Sequence, residues 1–189
     1  MITVVHPKDR TTAVLGGLYE GLEVQLLNET MTNNEIRHGL HHANVFEPLM
    51  ILGHGSDKGL FSRKDDTAED FDRILVGKHH LYYLKQQHRL MGIWCHAHLF
   101  AKEHQLSGLF TGMFISEMSE ACEYGVETTE EELHTELSKF VHRLRGLMDE
   151  KVPYAEIPER LRLMDDVHSP LTEFNYHSVY YLNGRDYDF

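Results

Sequence analysis

Cysteine is scarce in this chain. Only Cys95 and Cys122 occur among its 189 residues. Two cysteines cannot build the disulfide framework of a small secreted scaffold, and a chain of this length can bury enough apolar surface to fold without one. We therefore expect two free thiols, with Cys122 a structural residue in a helical segment.

Basic residues and long apolar runs are also few. Lysine and arginine total 18 against 30 aspartate and glutamate residues, which gives a formal net charge of −12. A nucleic-acid partner requires a concentrated basic surface, and no basic run is present. No apolar run approaches the roughly 20 residues that span a bilayer, and residues 1–10 lack the features of a signal peptide. We expect a cytoplasmic protein with no nucleic-acid or membrane partner.

The rest of the composition is that of an ordinary globular protein. Hydrophobic residues make up 41% of the chain and charged residues 25%, which together with the length predicts one folded domain over residues 1–189. Short apolar runs predict strands, and Thr32 followed by Glu35 predicts a capping box that starts a helix. The predicted strands are residues 1–7, 23–30, 46–55, 90–98, 108–114 and 177–184. The predicted helices are 8–22, 31–43, 68–89, 129–150 and 158–166, and a break of the third near Gly77 stays open.

This alternation of strands and helices predicts an α/β fold of three layers, α/β/α, with a mostly parallel sheet. The apolar runs before His54 and Cys95 are continuous rather than alternating, as in strands buried on both faces of a parallel sheet. A right-handed crossover through residues 68–89 would make these two strands adjacent and parallel.

Both of these strands end on a reactive side chain. In "MILGHGS" the apolar residues lead to His54, which lies between Gly53 and Gly55. In "RLMGIWCHAH" a second apolar run leads to Cys95, 41 positions later. Ligands of such sheets bind beyond the carboxyl ends of the strands. There an imidazole can take the proton of a thiol, and the N–H groups of Gly55 and Cys95 could hold an oxyanion. The combination predicts acyl transfer by a cysteine nucleophile.

The order strand, "GHGS", helix, strand, "CHAH" resembles the caspase-like cysteine peptidases, which include caspases, metacaspases, clostripain, gingipains and CHAT domains. The resemblance extends over roughly residues 1–125 and looks most like the metacaspase pattern of His-Gly and Cys-His-Ser. It implies a caspase-like sheet and an endopeptidase that cleaves peptides or proteins through an acyl-enzyme without a cofactor. His54 would be the base, Cys95 the nucleophile and Gly55 an oxyanion donor.

The resemblance has two departures. The caspase pentapeptide around the nucleophile is absent, and Ile93 occupies the position where metacaspases typically have an aspartate. A preference for lysine or arginine before the scissile bond is therefore not implied. For an active pair we expect an accessible Cys95 with a lowered pKa, which iodoacetamide would label before Cys122.

Two alternatives stay open. The chain could be a catalytically silent caspase-like module with a binding or regulatory role. It could also bind a transition metal through Cys95, His96, His98 and His54. Against the metal, neighbouring residues of a strand point to opposite faces, and the pair Cys95 and His98 has no second half at zinc-site spacing. We therefore expect no metal centre.

Overall fold

The structure is a computed structural model and describes residues 1–63 and 71–184. Its strands are β1 (Ile2–Val5), β2 (Val24–Leu27), β3 (Leu49–Leu52), β4 (Gly55–Ser56), β5 (Gly59–Ser62), β6 (Arg73–Gly77), β7 (Leu90–Ile93), β8 (Gly108–Thr111) and β9 (Val179–Leu182). Its α-helices are α1 (Asn33–His41), α2 (Leu81–Leu84), α3 (Ala97–Glu103), α4 (Met118–Glu123), α5 (Glu130–Asp149), α6 (Ile157–Leu163) and α7 (Pro170–His177). Short 3₁₀ helices span Ala13–Leu18 and Lys78–His80.

Six strands form the main sheet in the order β2-β1-β3-β7-β8-β9. All neighbouring pairs are parallel except β8 and β9, which are antiparallel. The α/β class with a mostly parallel sheet is therefore confirmed. The predicted pairing of the two strands before His54 and Cys95 is confirmed as well, because β3 and β7 are parallel neighbours with Leu49 opposite Leu90 and Leu52 opposite Ile93.

Two apolar cores lie against this sheet, one on each face. Successive residues of β3 alternate between them, with Met50 and Leu52 in one core and Leu49 and Ile51 in the other, as the period of two in a strand requires. The first core also holds the apolar residues of α5, and the second holds those of α1 and α3. This arrangement is compatible with the three layers expected from the sequence.

The helix start at Thr32 is confirmed. The Thr32 backbone N–H donates to Glu35 Oε2 at 2.7 Å, and the Glu35 N–H donates to Thr32 Oγ1 at 3.2 Å, which together satisfy two N–H groups that the first turn leaves unpaired. The helix expected over residues 8–22 is shorter than predicted. Only the 3₁₀ helix Ala13–Leu18 forms there, and its N-cap Thr12 makes no side-chain capping bond.

The helix predicted over residues 68–89, with a break near Gly77 left open, is wrong for Arg73–Gly77, and among the described residues of this range helical structure forms only after them, as the 3₁₀ helix Lys78–His80 and as α2 (Leu81–Leu84). Residues 68–70 lie outside the described ranges, but Arg73–Gly77 form β6, which pairs antiparallel with β5, and β5 pairs antiparallel with β4. The run Ile74, Leu75, Val76 contains two β-branched residues, which favour a strand. The "GHGS" segment therefore leads directly into a small three-stranded sheet.

Helix α7 was not predicted, although Ser169 before Pro170 is a typical helix start. The Ser169 hydroxyl accepts the N–H of Thr172 at 3.3 Å.

Across residues 1–63 and 71–184, no helix has the length and apolar character needed to cross a membrane.

Candidate functional site

Three neighbouring parallel strands end at one edge of the main sheet, and each leads into a part of the candidate site. β1 is followed by the loop with Asp9 and Thr11, β3 by Gly53 and His54, and β7 by Trp94 and Cys95. His54, Cys95 and Thr11 line the same pocket. The structure therefore brings the two residues predicted from the sequence to one place.

This pocket is small. Its volume of about 20 Å³ is room for about one water molecule. A larger cleft of about 560 Å³ adjoins it and shares Thr11, Val14, Ser116 and Leu137 as lining residues. The small pocket can hold a reacting group, whereas the larger cleft can hold a larger part of a ligand.

His54 is fixed on one edge of its ring by residues from the loop after β1. Its Nε2 atom lies 2.7 Å from Thr11 Oγ1 and 3.5 Å from Asp9 Oδ1. The Phe71 ring lies 5.4 Å from the imidazole, centroid to centroid, and His54 is buried. Among the described residues, no hydrogen bond joins the His54 ring to Cys95.

Asp9 organises this edge of the site. Its Oδ1 atom accepts the hydroxyl of Thr11 at 2.7 Å and the backbone N–H of Thr11 at 3.0 Å, while Arg63 Nε lies 3.2 Å from Oδ2. Burial by itself raises the pKa of the carboxyl group, but the hydrogen bonds from Thr11 and the charges of His54 and Arg63 outweigh it and lower the pKa below its usual value. Asp9 is therefore an ionised acceptor at neutral pH.

Sequence reasoning missed Asp9 and Thr11. A usable signal was present, since an aspartate two residues before a threonine typically makes a turn in which the carboxylate accepts from the chain. Its location after the predicted first strand of a parallel sheet would have put it at the ligand-binding edge.

Cys95 lies in surroundings that disfavour its thiolate. Its Sγ–H donates to the Phe114 carbonyl at 3.7 Å, and Glu120 Oε1 lies 3.8 Å from Sγ. Burial, together with the negative charge of Glu120, raises the pKa of the thiol to about 12. The expectation of a lowered pKa is therefore wrong for this conformation, in which the thiol is protonated at neutral pH.

The Glu120 carboxylate is held at this position by several donors. Its Oε2 atom accepts the N–H of Ser116 at 2.7 Å, the hydroxyl of Ser116 at 3.1 Å and the N–H of Glu117 at 3.2 Å. The loop before α4 is fixed in turn by Asn175, whose side chain bonds both the N–H and the carbonyl of Ile115, at 2.8 and 2.9 Å. The position of the carboxylate beside Cys95 is thus set by hydrogen bonds within this loop.

Both cysteines are free thiols, as expected. The structural role predicted for Cys122 is not supported, because its side chain is exposed in α4.

Gly55 lies in β4 beneath the indole of Trp94. A Cβ atom at position 55 would collide with the Trp94 ring and with the Gly59 carbonyl, so only glycine fits there. The Trp94 indole N–H donates to the Ser56 carbonyl at 2.9 Å, and Trp94 packs in the core with Phe100. Trp94 thus connects the small sheet to the core that packs on the main sheet. The oxyanion role of Gly55 stays a prediction.

His96 and His98 are the other residues of the alternative metal site that adjoin Cys95 in the sequence. His96 adopts a left-handed backbone conformation, φ 66°, as the N-cap of α3. The His98 ring stacks on Tyr180 at 4.9 Å, and burial lowers its pKa. In the described part of the chain, no group of three or more histidine, cysteine, aspartate or glutamate side chains could hold a metal ion.

Comparisons of this chain with protein-family models, with curated proteins and with solved structures found no match.

Proposed function

We propose that this protein is a caspase-like cysteine endopeptidase in which His54 and Cys95 cleave peptide bonds through an acyl-enzyme. The observation that carries the proposal is the parallel pairing of β3 with β7, from which both side chains enter one pocket at the carboxyl edge of the sheet. A thiol and an imidazole at that location are the minimum for nucleophilic acyl transfer. The resemblance of "GHGS" and "CHAH" to caspase-like peptidases supports the same reaction.

In the proposed reaction, the proton of Cys95 passes to His54 as Sγ forms a bond to the substrate carbonyl carbon. The C–N bond then breaks, and the departing amine takes the proton from the imidazolium. Water, deprotonated by His54, attacks the thioester, which releases the acid and returns the proton to Sγ. Backbone N–H groups at Gly55 and Cys95 are the proposed oxyanion donors.

The resting thiol is protonated, so the proton transfer has to occur with the substrate in place. A substrate that enters from the adjoining cleft would contact Ser116 and Glu117, the residues whose N–H groups hold Glu120. A shift of this loop would remove the carboxylate from Cys95, which favours the thiolate. The proposed enzyme is therefore one whose nucleophile is activated by occupation of the cleft.

A second candidate function is a catalytically silent module with a caspase-like fold. The raised pKa of Cys95 and the carboxylate 3.8 Å from its sulfur favour this candidate, since both oppose thiolate formation. Such a module would bind a peptide or protein in the same cleft without cleaving it.

Incubation with a proteome-derived peptide library, with products identified by mass spectrometry, tests the proposal. The wild type should generate new peptide termini, and Cys95→Ala should generate none. His54→Ala should reduce the rate by about 10²-fold or more, as loss of a general base does. Cys122→Ala is the matched control and should cleave as the wild type does.

Thermal unfolding of each variant establishes that the fold persists. Cleavage that survives in Cys95→Ala would overturn the proposed mechanism. Absence of cleavage by a folded wild type, together with saturable peptide binding, would establish the silent module instead.

A further inference from the structure

We infer that Asp9 and Thr11 are positioning residues that hold His54 with its proton on Nε2, which makes Nδ1 the nitrogen that accepts a proton. The catalytic part of this inference rests on the proposed peptidase function, whereas the location of the proton does not. The location of the proton follows from the directions of the hydrogen bonds that join Asp9, Thr11 and His54.

The first step concerns the hydroxyl hydrogen of Thr11. An ionised carboxylate can only accept hydrogen bonds, and a threonine hydroxyl has one hydrogen to donate. Thr11 Oγ1 lies 2.7 Å from Asp9 Oδ1, so its hydrogen points to Asp9. Arg63 at 3.2 Å from the second oxygen and the Thr11 N–H at 3.0 Å from the first keep Asp9 in the ionised form.

The second step concerns the ring of His54. Thr11 Oγ1 also lies 2.7 Å from His54 Nε2, and with its hydrogen already donated to Asp9 it can only accept at this contact. Nε2 must therefore carry a hydrogen. In the neutral imidazole one nitrogen is a donor and the other an acceptor, so Nδ1 carries the lone pair.

The third step is the chemical consequence. When Nδ1 takes the proton of Cys95, the ring becomes an imidazolium whose Nε2–H still donates to Thr11. Asp9 Oδ1 lies 3.5 Å from Nε2 and compensates the new positive charge, while Arg63 tempers this effect from the far oxygen of Asp9. The ring does not have to rotate between the two protonation states, so the positions of its nitrogens are retained through the reaction.

The proton location can be read directly by long-range ¹H–¹⁵N correlation spectra of protein labelled with ¹⁵N-histidine. The His54 signals are those missing from a His54→Gln spectrum. At a pH where the ring is neutral, the wild type should have a protonated Nε2 and an unprotonated Nδ1. A proton found on Nδ1 in the wild type would overturn the inference.

Three variants separate positioning from simple packing. Thr11→Val keeps the shape of the side chain but removes the hydroxyl, so both neutral forms of the ring should become populated. Thr11→Ser keeps the hydroxyl and should retain the wild-type spectrum. Asp9→Ala removes the acceptor of the Thr11 hydroxyl, which can then donate to Nε2, so the ring form with its proton on Nδ1 should become populated.

Thr30→Val is a matched control. The Thr30 hydroxyl and N–H donate to Asn28 Oδ1 at 2.7 and 3.1 Å, which repeats the local turn of Asp9 and Thr11 in the exposed loop after β2. It should leave the His54 spectrum unchanged. An unchanged spectrum in both Thr11→Val and Asp9→Ala would overturn the positioning role.

Kinetics then test the catalytic part, with any peptide that the wild type cleaves. Thr11→Val should lower kcat by about 10- to 100-fold with little change in KM, and Thr11→Ser should recover most of the loss. Equal kcat in Thr11→Val and the wild type would contradict a catalytic use of Nδ1. If the wild type cleaves nothing while its spectrum shows the Nε2 proton, the proposed function fails and the proton assignment stands.

Discussion

The Sγ atom of Cys95 lies 3.8 Å from Oε1 of Glu120. A carboxylate at this distance opposes the ionisation of a thiol, because the thiolate would be a second negative charge in a buried location. This one relationship separates the two candidate functions, since an active peptidase must displace or neutralise Glu120 and a silent module need not.

Replacement of Glu120 by glutamine should make Cys95 more reactive. Glu120→Gln removes the charge but keeps an oxygen that can accept the N–H of Ser116, so the loop should stay in place. We expect the pKa of Cys95 to fall by about one unit, which raises the thiolate fraction about tenfold; burial, the larger cause of the shift, is unchanged. The measurement is the iodoacetamide labelling rate of Cys95 in a Cys122→Ser background.

Glu123→Gln is the control for this experiment, because it removes the same charge from an exposed position of α4. It should leave the labelling of Cys95 unchanged. A rate for Glu120→Gln equal to that of the control would mean that the Glu120 charge does not act on the thiol.

The labelling order of the two cysteines should be the reverse of the sequence-based expectation. Cys122 is exposed, whereas Cys95 is partly buried and has a raised pKa, so near neutral pH we expect Cys122 to react with iodoacetamide more than about a hundredfold faster. Peptide mapping by mass spectrometry measures both rates in one sample. In denaturant the two rates should converge, and faster labelling of Cys95 in the native protein would mean that its thiol is exposed in solution.

Asn175 should stabilise the fold and the loop of Phe114 and Ile115, in which the Phe114 carbonyl contacts Cys95. Asn175→Ala leaves the buried N–H and carbonyl of Ile115 without their partners, each at a cost of about 1–3 kcal/mol. We expect the free energy of unfolding to fall by about 2–4 kcal/mol in urea titrations, and Cys95 to label faster. Asn34→Ala, an exposed position in α1, should change stability by less than about 0.5 kcal/mol; similar losses in both variants would refute the role of Asn175.

Asp9 should stabilise the fold in its ionised form. Its pKa in the folded protein is below the usual 3.8, so its contribution is fully present above pH 3.8 and is lost as the pH falls further through the folded value. Asp9→Asn should therefore lower the free energy of unfolding by about 1–2 kcal/mol near pH 6 and by less near pH 3. Urea unfolding at both pH values is the measurement.

The exposed Asp72→Asn serves as the reference for charge removal alone. It should cause little change at either pH. A loss in Asp9→Asn that is the same at both pH values would show that the loss comes from packing and not from the charge.

The parts of the fold that were predictable are those in which local signals and tertiary packing agree. The uniformly apolar run Leu49–Leu52 predicts a strand buried on both faces, and the capping box of Thr32 and Glu35 predicts a helix start; both are present. The segment Arg73–Gly77 lies within the helix predicted over residues 68–89. The segment instead forms the strand β6, because it pairs with β5. The local sequence pattern does not indicate this pairing partner.

The site was predictable to the extent that strand ends locate it. His54 and Cys95 each lie two residues beyond the end of a strand, so the topology alone puts them at one edge. Glu120 approaches Cys95 from a helix 25 residues later in the chain, and no local pattern indicates such a contact. The sequence could thus indicate Cys95 as the proposed nucleophile, but the protonation of its thiol depends on long-range neighbours.

The site is assembled from loops that follow three parallel strands, β1, β3 and β7. Parallel neighbours are joined by crossovers, so these contacts link residues that are distant along the chain, and such contacts form slowly during folding. No contiguous short segment contains Asp9, His54 and Cys95 together. During synthesis, the thiol and the imidazole would meet only after β7 has left the ribosome and docked on β3, so a chain made only through β3 has His54 without Cys95.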